Sequence, residues 1–333
     1  MNKIKMLTNL LALLIVCSSC SKIEPKVLKL TGSVFGTSFH ITYLSHNLID
    51  YSSSIDSIFR GINKSLSTYD SNSYISRINR GEKGVIIDAN FKEVFHKAEK
   101  IYQETDGVFD PTIGILVNAW GFGPESKRVD LDAQTISGLL TLVGFDKVSI
   151  LDGVVLKKDP KMYIDFNAIA KGFGIDAVSR FLEYKGVTDY MVEVGGEVRS
   201  RGKNSSGNYW RIGIEKPNFD GSRELQQIIE LKNESIATSG NYRKFIMDSI
   251  TGEKYVHTID PVTGYTAKRD LLSVSVISSL DCADVDAYAT AFMAMGFQKT
   301  KQFVALHDEL KVFLIYINEA GEIKEFSNFS KER

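Results

Sequence analysis

Apolar residues recur at helical spacing in several stretches and cluster or alternate in many short ones, a mixture that predicts both helices and strands. Ile55, Ile58, Phe59, Ile62 and Leu66 fall on one face of a helix expected over 48–66. A second amphipathic helix is expected over 91–105, and a third over 132–143 with Asp132 as its N-cap and Gly144 as its stop. Runs rich in β-branched and aromatic residues predict strands on either side of the glycine-containing stretch 31–37, then over 147–151, 154–157 and 162–165. After a helix over 168–184 come strands at 190–194, 198–201, 209–215, 226–232, 244–247, 255–259 and 272–277. A helix over 284–295 and a hairpin of 312–317 with 323–326 close the chain. Gly195-Gly196, 204–207 and Thr238-Ser239-Gly240-Asn241 read as turns. Helices and neighbouring strands are interspersed without regular alternation. The fold class is therefore α+β, a mostly antiparallel sheet with packed helices, rather than a doubly wound sheet. No repeat or long linker divides 31–333, which has the length of one large domain or two subdomains.

The N-terminus departs from this pattern. Lys3 and Lys5 precede an apolar run over 10–16, followed by Cys17, Ser18, Ser19 and Cys20. That is the layout of an export signal, with an apolar core too short to span a bilayer. Ser19 before Cys20 is the small-residue–cysteine junction of lipoprotein processing. Residues 1–19 are expected to be a lipoprotein signal peptide, in preference to a non-lipidated signal or a short anchor helix, with Cys20 the lipidated N-terminus and 20–30 a tether. The protein is then expected to be extracytoplasmic, on the periplasmic side, lipid-anchored to a bacterial membrane and by expectation the inner one. Of three cysteines only Cys282 would remain as a thiol, so no internal disulfide is available. A formal net charge of −1 offers no basic surface for nucleic acid, and 43% apolar residues describe an ordinary globular core.

Three constellations could carry chemistry. In Asp165-Phe-Asn-Ala168-Ile-Ala-Lys171-Gly172-Phe-Gly174-Ile-Asp176, a carboxylate, the free backbone groups of a first helical turn and a lysine one turn on suit phosphates and a cation. The same residues could be only a helix cap, a solvated lysine and two close-packing glycines. In the helix at Cys282-Ala-Asp284-Val-Asp286-Ala-Tyr-Ala-Thr290, Asp286 and Thr290 lie four apart on one face and are hard oxygen donors, appropriate to Mg²⁺. Asp281 and Asp284 are explained by the helix dipole, whereas Asp286 is ringed by apolar neighbours and needs a partner. In His257-Thr-Ile259-Asp260-Pro261-Val-Thr263-Gly264, a near-neutral base meets a tight turn, and His257 could equally be a histidine satisfied by backbone at a strand end. There is no G-x-G-x-x-G after a first strand, Walker loop, G-x-S-x-G or Cys/His metal spacing.

In sequence order these segments resemble the ApbE family of FAD:protein FMN transferases. The matching pieces are Phe35-Gly36-Thr37, Leu66 to Ser73, Asp110-Pro111-Thr112 with Ala119 to Gly123, 165–176, Gly195-Gly196, 237–240, 257–264 and Asp286 with Thr290. The resemblance implies a T-fold-related catalytic domain that binds FAD and Mg²⁺ and transfers FMN to a threonine or serine hydroxyl, releasing AMP. By the same matching, Asp286, Thr290 and the backbone carbonyl of Ala168 would hold Mg²⁺. Phe35, Tyr69, Trp120, Gly121, Phe122, Asp165, Lys171 and Ile259 would contact FAD. Separately from the matching, His257 or a nearby carboxylate is expected to deprotonate the hydroxyl. Phe35 stands where many relatives have methionine, and Asn167 where many have a small residue. The implied partner is an exported flavoprotein subunit of a membrane redox complex. A Mg²⁺-dependent FAD pyrophosphatase giving FMN and AMP would use the same metal site, and a non-enzymatic flavin-binding lipoprotein would need only the pocket.

Overall fold

The structure is a computed structural model and describes residues 24–125, 131–216, 224–240, 245–247, 254–267 and 270–330. Cys17 and Cys20 lie outside the described residues. β1 (Lys26–Val34) and β2 (Thr37–Ser45) pair antiparallel with Val34 opposite Thr37, so only Phe35 and Gly36 make the turn. Their φ values are +52° and +75°, the sign that matches a two-residue turn to the twist of its strands. Glycine adopts this freely; Phe35 does so at a steric cost, its ring lodged edge-on to Phe59 at 5.6 Å.

The predicted helices form on their apolar faces. α1 (Ser52–Leu66) buries Ile55, Phe59, Ile62 and Leu66, and starts four residues later than expected because Leu48 sits at φ +52°. After the short α2 (Tyr74–Asn79), α3 (Ala89–Glu104) is capped by Asp88, which accepts the Phe91 N–H at 2.9 Å. α4 (Gly114–Ala119) precedes α5 (Ala133–Leu140), which Asp132 caps as the sequence predicts. β3 (Val148–Leu151) and β4 (Val154–Lys157) form a hairpin, and α6 (Asn167–Tyr184) follows. The strand predicted over 162–165 is absent. Tyr163 makes an isolated parallel bridge to Ile113, and the Asn79 amide both donates to the Ile164 carbonyl and accepts its N–H, each at 2.8 Å.

The remaining strands are β5 (Tyr190–Val194), β6 (Glu197–Arg201), β7 (Trp210–Glu215), β8 (Leu225–Leu231), β9 (Ser235–Gly240), β10 (Phe245–Met247), β11 (Lys254–Val256) and β12 (Leu271–Ser278). α7 (Cys282–Met295), α8 (Phe297–Val304), β13 (Lys311–Ile317) and β14 (Ile323–Ser327) complete the order. Eight strands make one sheet, β1-β2-β5-β6-β9-β12-β13-β14, with every pairing antiparallel. The fold is thus α+β. β9 corrects the turn expected at 238–241 as far as Gly240, Asn241 lying outside the described residues: it runs between β6 and β12, and its Thr238 hydroxyl meets Ser275 Oγ at 2.8 Å. Alternate residues of the sheet face two cores. Ala237, Val274, Val276 and Leu314 join the helices, whereas Ile236, Ile277 and Phe313 join Ile214 and Leu231 of the β7–β8 hairpin on the other face.

Candidate active site

The site forms where α6 and α7 meet on the helical face of the sheet. Before α6, the Asp165 N–H donates to the Pro111 carbonyl at 2.7 Å, while Asp165 Oδ1 accepts the Asn167 N–H at 2.7 Å and Oδ2 the Asn167 amide at 3.1 Å. Asp165 therefore does brace the helix start. Burial pushes its carboxyl above the usual carboxylate range, and the bonds from Asn167 pull the other way. Gly172 and Gly174 are close-packing positions, since a Cβ on Gly172 would lie 2.4 Å from the Cys282 carbonyl oxygen and one on Gly174 2.6 Å from the Phe35 ring. Lys171, in contrast, is not simply solvated. Its ammonium donates to Glu197 Oε1 at 2.6 Å and stands 3.7 Å from Asp286 Oδ1. Burial alone would lower the ammonium, but Asp286 and Glu197 outweigh it and raise it.

On α7, Asp286 is 2% exposed and its Oδ2 accepts the Gly172 N–H at 3.1 Å. Burial pushes its carboxyl up, Lys171 draws it down and Glu197 adds to the rise. Thr290, one turn on, places Oγ1 3.4 Å from Ser239 Oγ of β9.

These groups open into a cavity of about 1110 Å³, above the roughly 300–1,000 Å³ of an ordinary small-molecule site. Its lining brings together Phe35, Tyr69, Gly121, Phe122, Asp165, Ala168, Lys171, His257, Ile259, Asp286 and Thr290. Tyr69, 67% exposed, stands at the surface. His257 is half-buried, its ring edge-on to Phe122 at 6.4 Å. Trp120 is not part of the lining. Its ring turns towards Tyr265 and its Nε1 donates to the Gly264 carbonyl at 2.8 Å, tying the end of α4 to the turn after His257. Asp260 shapes that turn, accepting the Val262 N–H at 2.9 Å.

The cavity also holds acids to which the sequence assigns no role. Asp110, Glu197 and Glu215 line it with Asp165 and Asp286, and burial pushes the Asp110 carboxyl up. Glu197 follows the Gly195-Gly196 turn, at φ +64° and +104°, and its Oε2 is buried without a hydrogen-bond partner. The glycine pair was a visible signal; the acid's inward direction depends on β5–β6 register. Among the described residues no three of His, Cys, Asp and Glu converge as a metal cage. The hard donors at hand are the Asp286 carboxylate, the Thr290 hydroxyl and backbone oxygens at the start of α6.

Residues 35–314 match the ApbE family. The FAD:protein FMN transferase of Haemophilus influenzae is 34% identical over 98% of both chains, and that of Vibrio cholerae 36% identical over 96% of both. Among solved structures, the flavin transferase ApbE from Vibrio cholerae superposes with a TM-score of 0.80 at 32% identity, covering 91% of this chain and 97% of that one. The apo flavinyl transferase ApbE from Pseudomonas stutzeri gives 0.79 at 30% identity, over 92% and 96%.

Proposed function

The chain belongs to the ApbE family, and from that premise we propose that it transfers FMN from FAD to a threonine or serine hydroxyl of an exported flavoprotein. The observation that carries this is the junction of α6 and α7, where Ala168, Lys171, Asp286 and Thr290 share one cavity large enough for a dinucleotide. The target's hydroxyl oxygen attacks the phosphorus on the flavin side. A P–O bond to that oxygen forms, the bond to AMP breaks, and AMP leaves with the bridging oxygen.

The charge of the cavity bears on how the diphosphate enters. Five lining carboxylates face one lysine among the described residues, so two more negative charges need a cation beside them. Asp286, Thr290 and the Ala168 carbonyl fit Mg²⁺, whose coordination readily includes a few hard protein oxygens with phosphate and water. Bound there, Mg²⁺ supplies charge neutralisation and orientation of the pyrophosphate. The chain's own residues do the rest. Lys171, held protonated, donates to phosphate oxygens as it now donates to Glu197, and Asp165 receives polar groups of the nucleotide. Phe35, Tyr69 and Phe122 offer ring faces for stacking, and Ile259 adds apolar surface. Trp120 acts on the pocket through the turn it ties down. His257 at the lining is the base that takes the hydroxyl proton.

The target fits an exported subunit of a membrane redox complex, reached by an enzyme anchored through lipid on Cys20 at the periplasmic face. No helix among the described residues is long and apolar enough to cross a membrane. Incubation with FAD, Mg²⁺ and an exported flavoprotein domain tests the proposal by mass analysis. An FMN adduct on a threonine or serine, with one AMP per adduct, is expected. Free FMN and AMP alone would identify a hydrolase, and intact FAD would refute cleavage. Chelation of Mg²⁺ and Asp286→Ala should each abolish the adduct, with re-added Mg²⁺ restoring only the wild type.

A further inference from the structure

The helix that carries Asp286 and Thr290 does not cap itself. Asp281 occupies the N-cap of α7 but makes no side-chain capping bond. The first two backbone donors of the helix, both buried, are met from another helix: Asp176 of α6 accepts the Cys282 N–H on Oδ1 and the Ala283 N–H on Oδ2, each at 2.8 Å. Asp176 is fully buried, and Arg199 Nη1 bridges it to Asp281 at 2.5 Å on both sides.

Spacing gives this contact its leverage. Ala168, Gly172 and Asp176 form an i, i+4, i+8 stripe along α6, and Cys282, Asp286 and Thr290 form the same stripe along α7. Asp176 holds the Cys282 end of the second stripe, Gly172 donates to Asp286 in its middle, and the glycine's missing side chain lets the helices approach at Cys282. Eight residues of helix span about 12 Å. The cap and the Gly172–Asp286 bond are thus two fixed points about one turn apart, enough to set both the slide and the rotation of α7 on α6.

We infer that Asp176 is a positioning residue for the cation site, holding α7 in the register on α6 that brings Asp286 and Thr290 to the Ala168 carbonyl. This rests on the proposed Mg²⁺ site. It adds that the site is assembled from outside the cavity, by a carboxylate that touches neither metal nor substrate.

The test compares full-chain variants by calorimetric Mg²⁺ titration, by the Mg²⁺ dependence of transfer and by FAD binding in chelator. Asp176→Asn should weaken Mg²⁺ binding roughly 10- to 100-fold, the usual effect of losing a partner that orients a ligand. Saturating Mg²⁺ should recover much of kcat, and FAD binding in chelator should stay as in the wild type. Arg199→Lys, which keeps a cation and both capping bonds, should lower the melting temperature without moving the Mg²⁺ midpoint. A folded Asp176→Asn protein with wild-type Mg²⁺ affinity overturns the inference. If Asp176→Asn does not fold, Asp176→Glu keeps the charge and lengthens the arm by one methylene, and an unmoved Mg²⁺ midpoint there overturns it equally. Asp286→Ala run alongside separates the two ideas: if it too binds Mg²⁺ normally, the metal site itself is wrong.

Discussion

Lys171, Glu197 and Asp286 show how much one side chain can be asked to do. A buried acid surrounded by apolar neighbours needs a compensating charge, and in this structure the Lys171 ammonium, 3.7 Å away, supplies it for Asp286 while bonding Glu197 at 2.6 Å. A cation at Asp286 would take over that compensation and leave the ammonium to face phosphate. His257 stands apart from this trio, on the turn that Trp120 and Asp260 shape, and so its removal should leave the phosphate-binding groups intact. His257→Ala is expected to bind FAD with wild-type affinity while transfer falls about 10²- to 10⁴-fold, the range for losing a general base. Flavin fluorescence titration and adduct formation read the two effects separately, and normal transfer with normal binding would exclude His257 as the base.

Between elements, Gly172 is the point where α6 meets the backbone of α7. A methyl there would meet the Cys282 backbone 2.4 Å away, and backbone yields less easily than a side chain, so Gly172→Ala should cost about 1–3 kcal/mol or more. Gly138, in exposed α5 with no atom within 4 Å of a new Cβ, should instead gain about 0.5–1 kcal/mol as alanine. Opposite shifts in urea midpoints check the pair. Lys97 of α3 reaches Asp281 and Asp284, each at 3.0 Å. Burial pushes the Asp281 carboxyl up, but Lys97 and Arg199 outweigh it and hold it below the usual range. A depressed carboxyl stabilises the fold above its unfolded pKa, and that contribution is lost as pH falls through the folded value. The melting advantage of wild type over Lys97→Met should therefore be constant above about pH 5 and shrink below about pH 4. Elements with strong one-sided patterns, such as α1, α3 and the β3–β4 hairpin, were legible from sequence alone. β9 was not, because Thr238, Ser239 and Gly240 read as a turn, whereas the Thr238 and Ser239 hydroxyls meet Ser275 and Thr290, both distant in sequence. The 162–165 stretch misled for the reverse reason, a strand-like sequence that meets the side chain of Asn79 at Ile164 and only an isolated backbone bridge to Ile113 at Tyr163.

At the scale of the molecule, the site draws on residues from Phe35 to Thr290. Their types were legible because hard donors, a lysine and a histidine sit in recognisable local patterns; Glu197 and Asp176 were not assigned roles, since these follow from which helix and strand lie opposite. An enzyme whose substrate is another protein also has to meet it. The open cavity carries Tyr69 at the surface, and a lipid on Cys20 would keep that opening in the layer where a membrane-bound target displays its hydroxyl. Tethering raises effective concentration without adding a contact. Cys20→Ala, with the signal replaced by a cleavable non-lipoprotein one, should move the protein to the soluble fraction and leave its rate on a soluble target domain unchanged. In cells, flavin attachment to the membrane target should slow, and raising the level of the unanchored enzyme should restore it. Fractionation and mass analysis of the target check both halves. An unanchored enzyme that labels the membrane target at the normal rate at native levels would mean that recognition, not proximity, brings the two together.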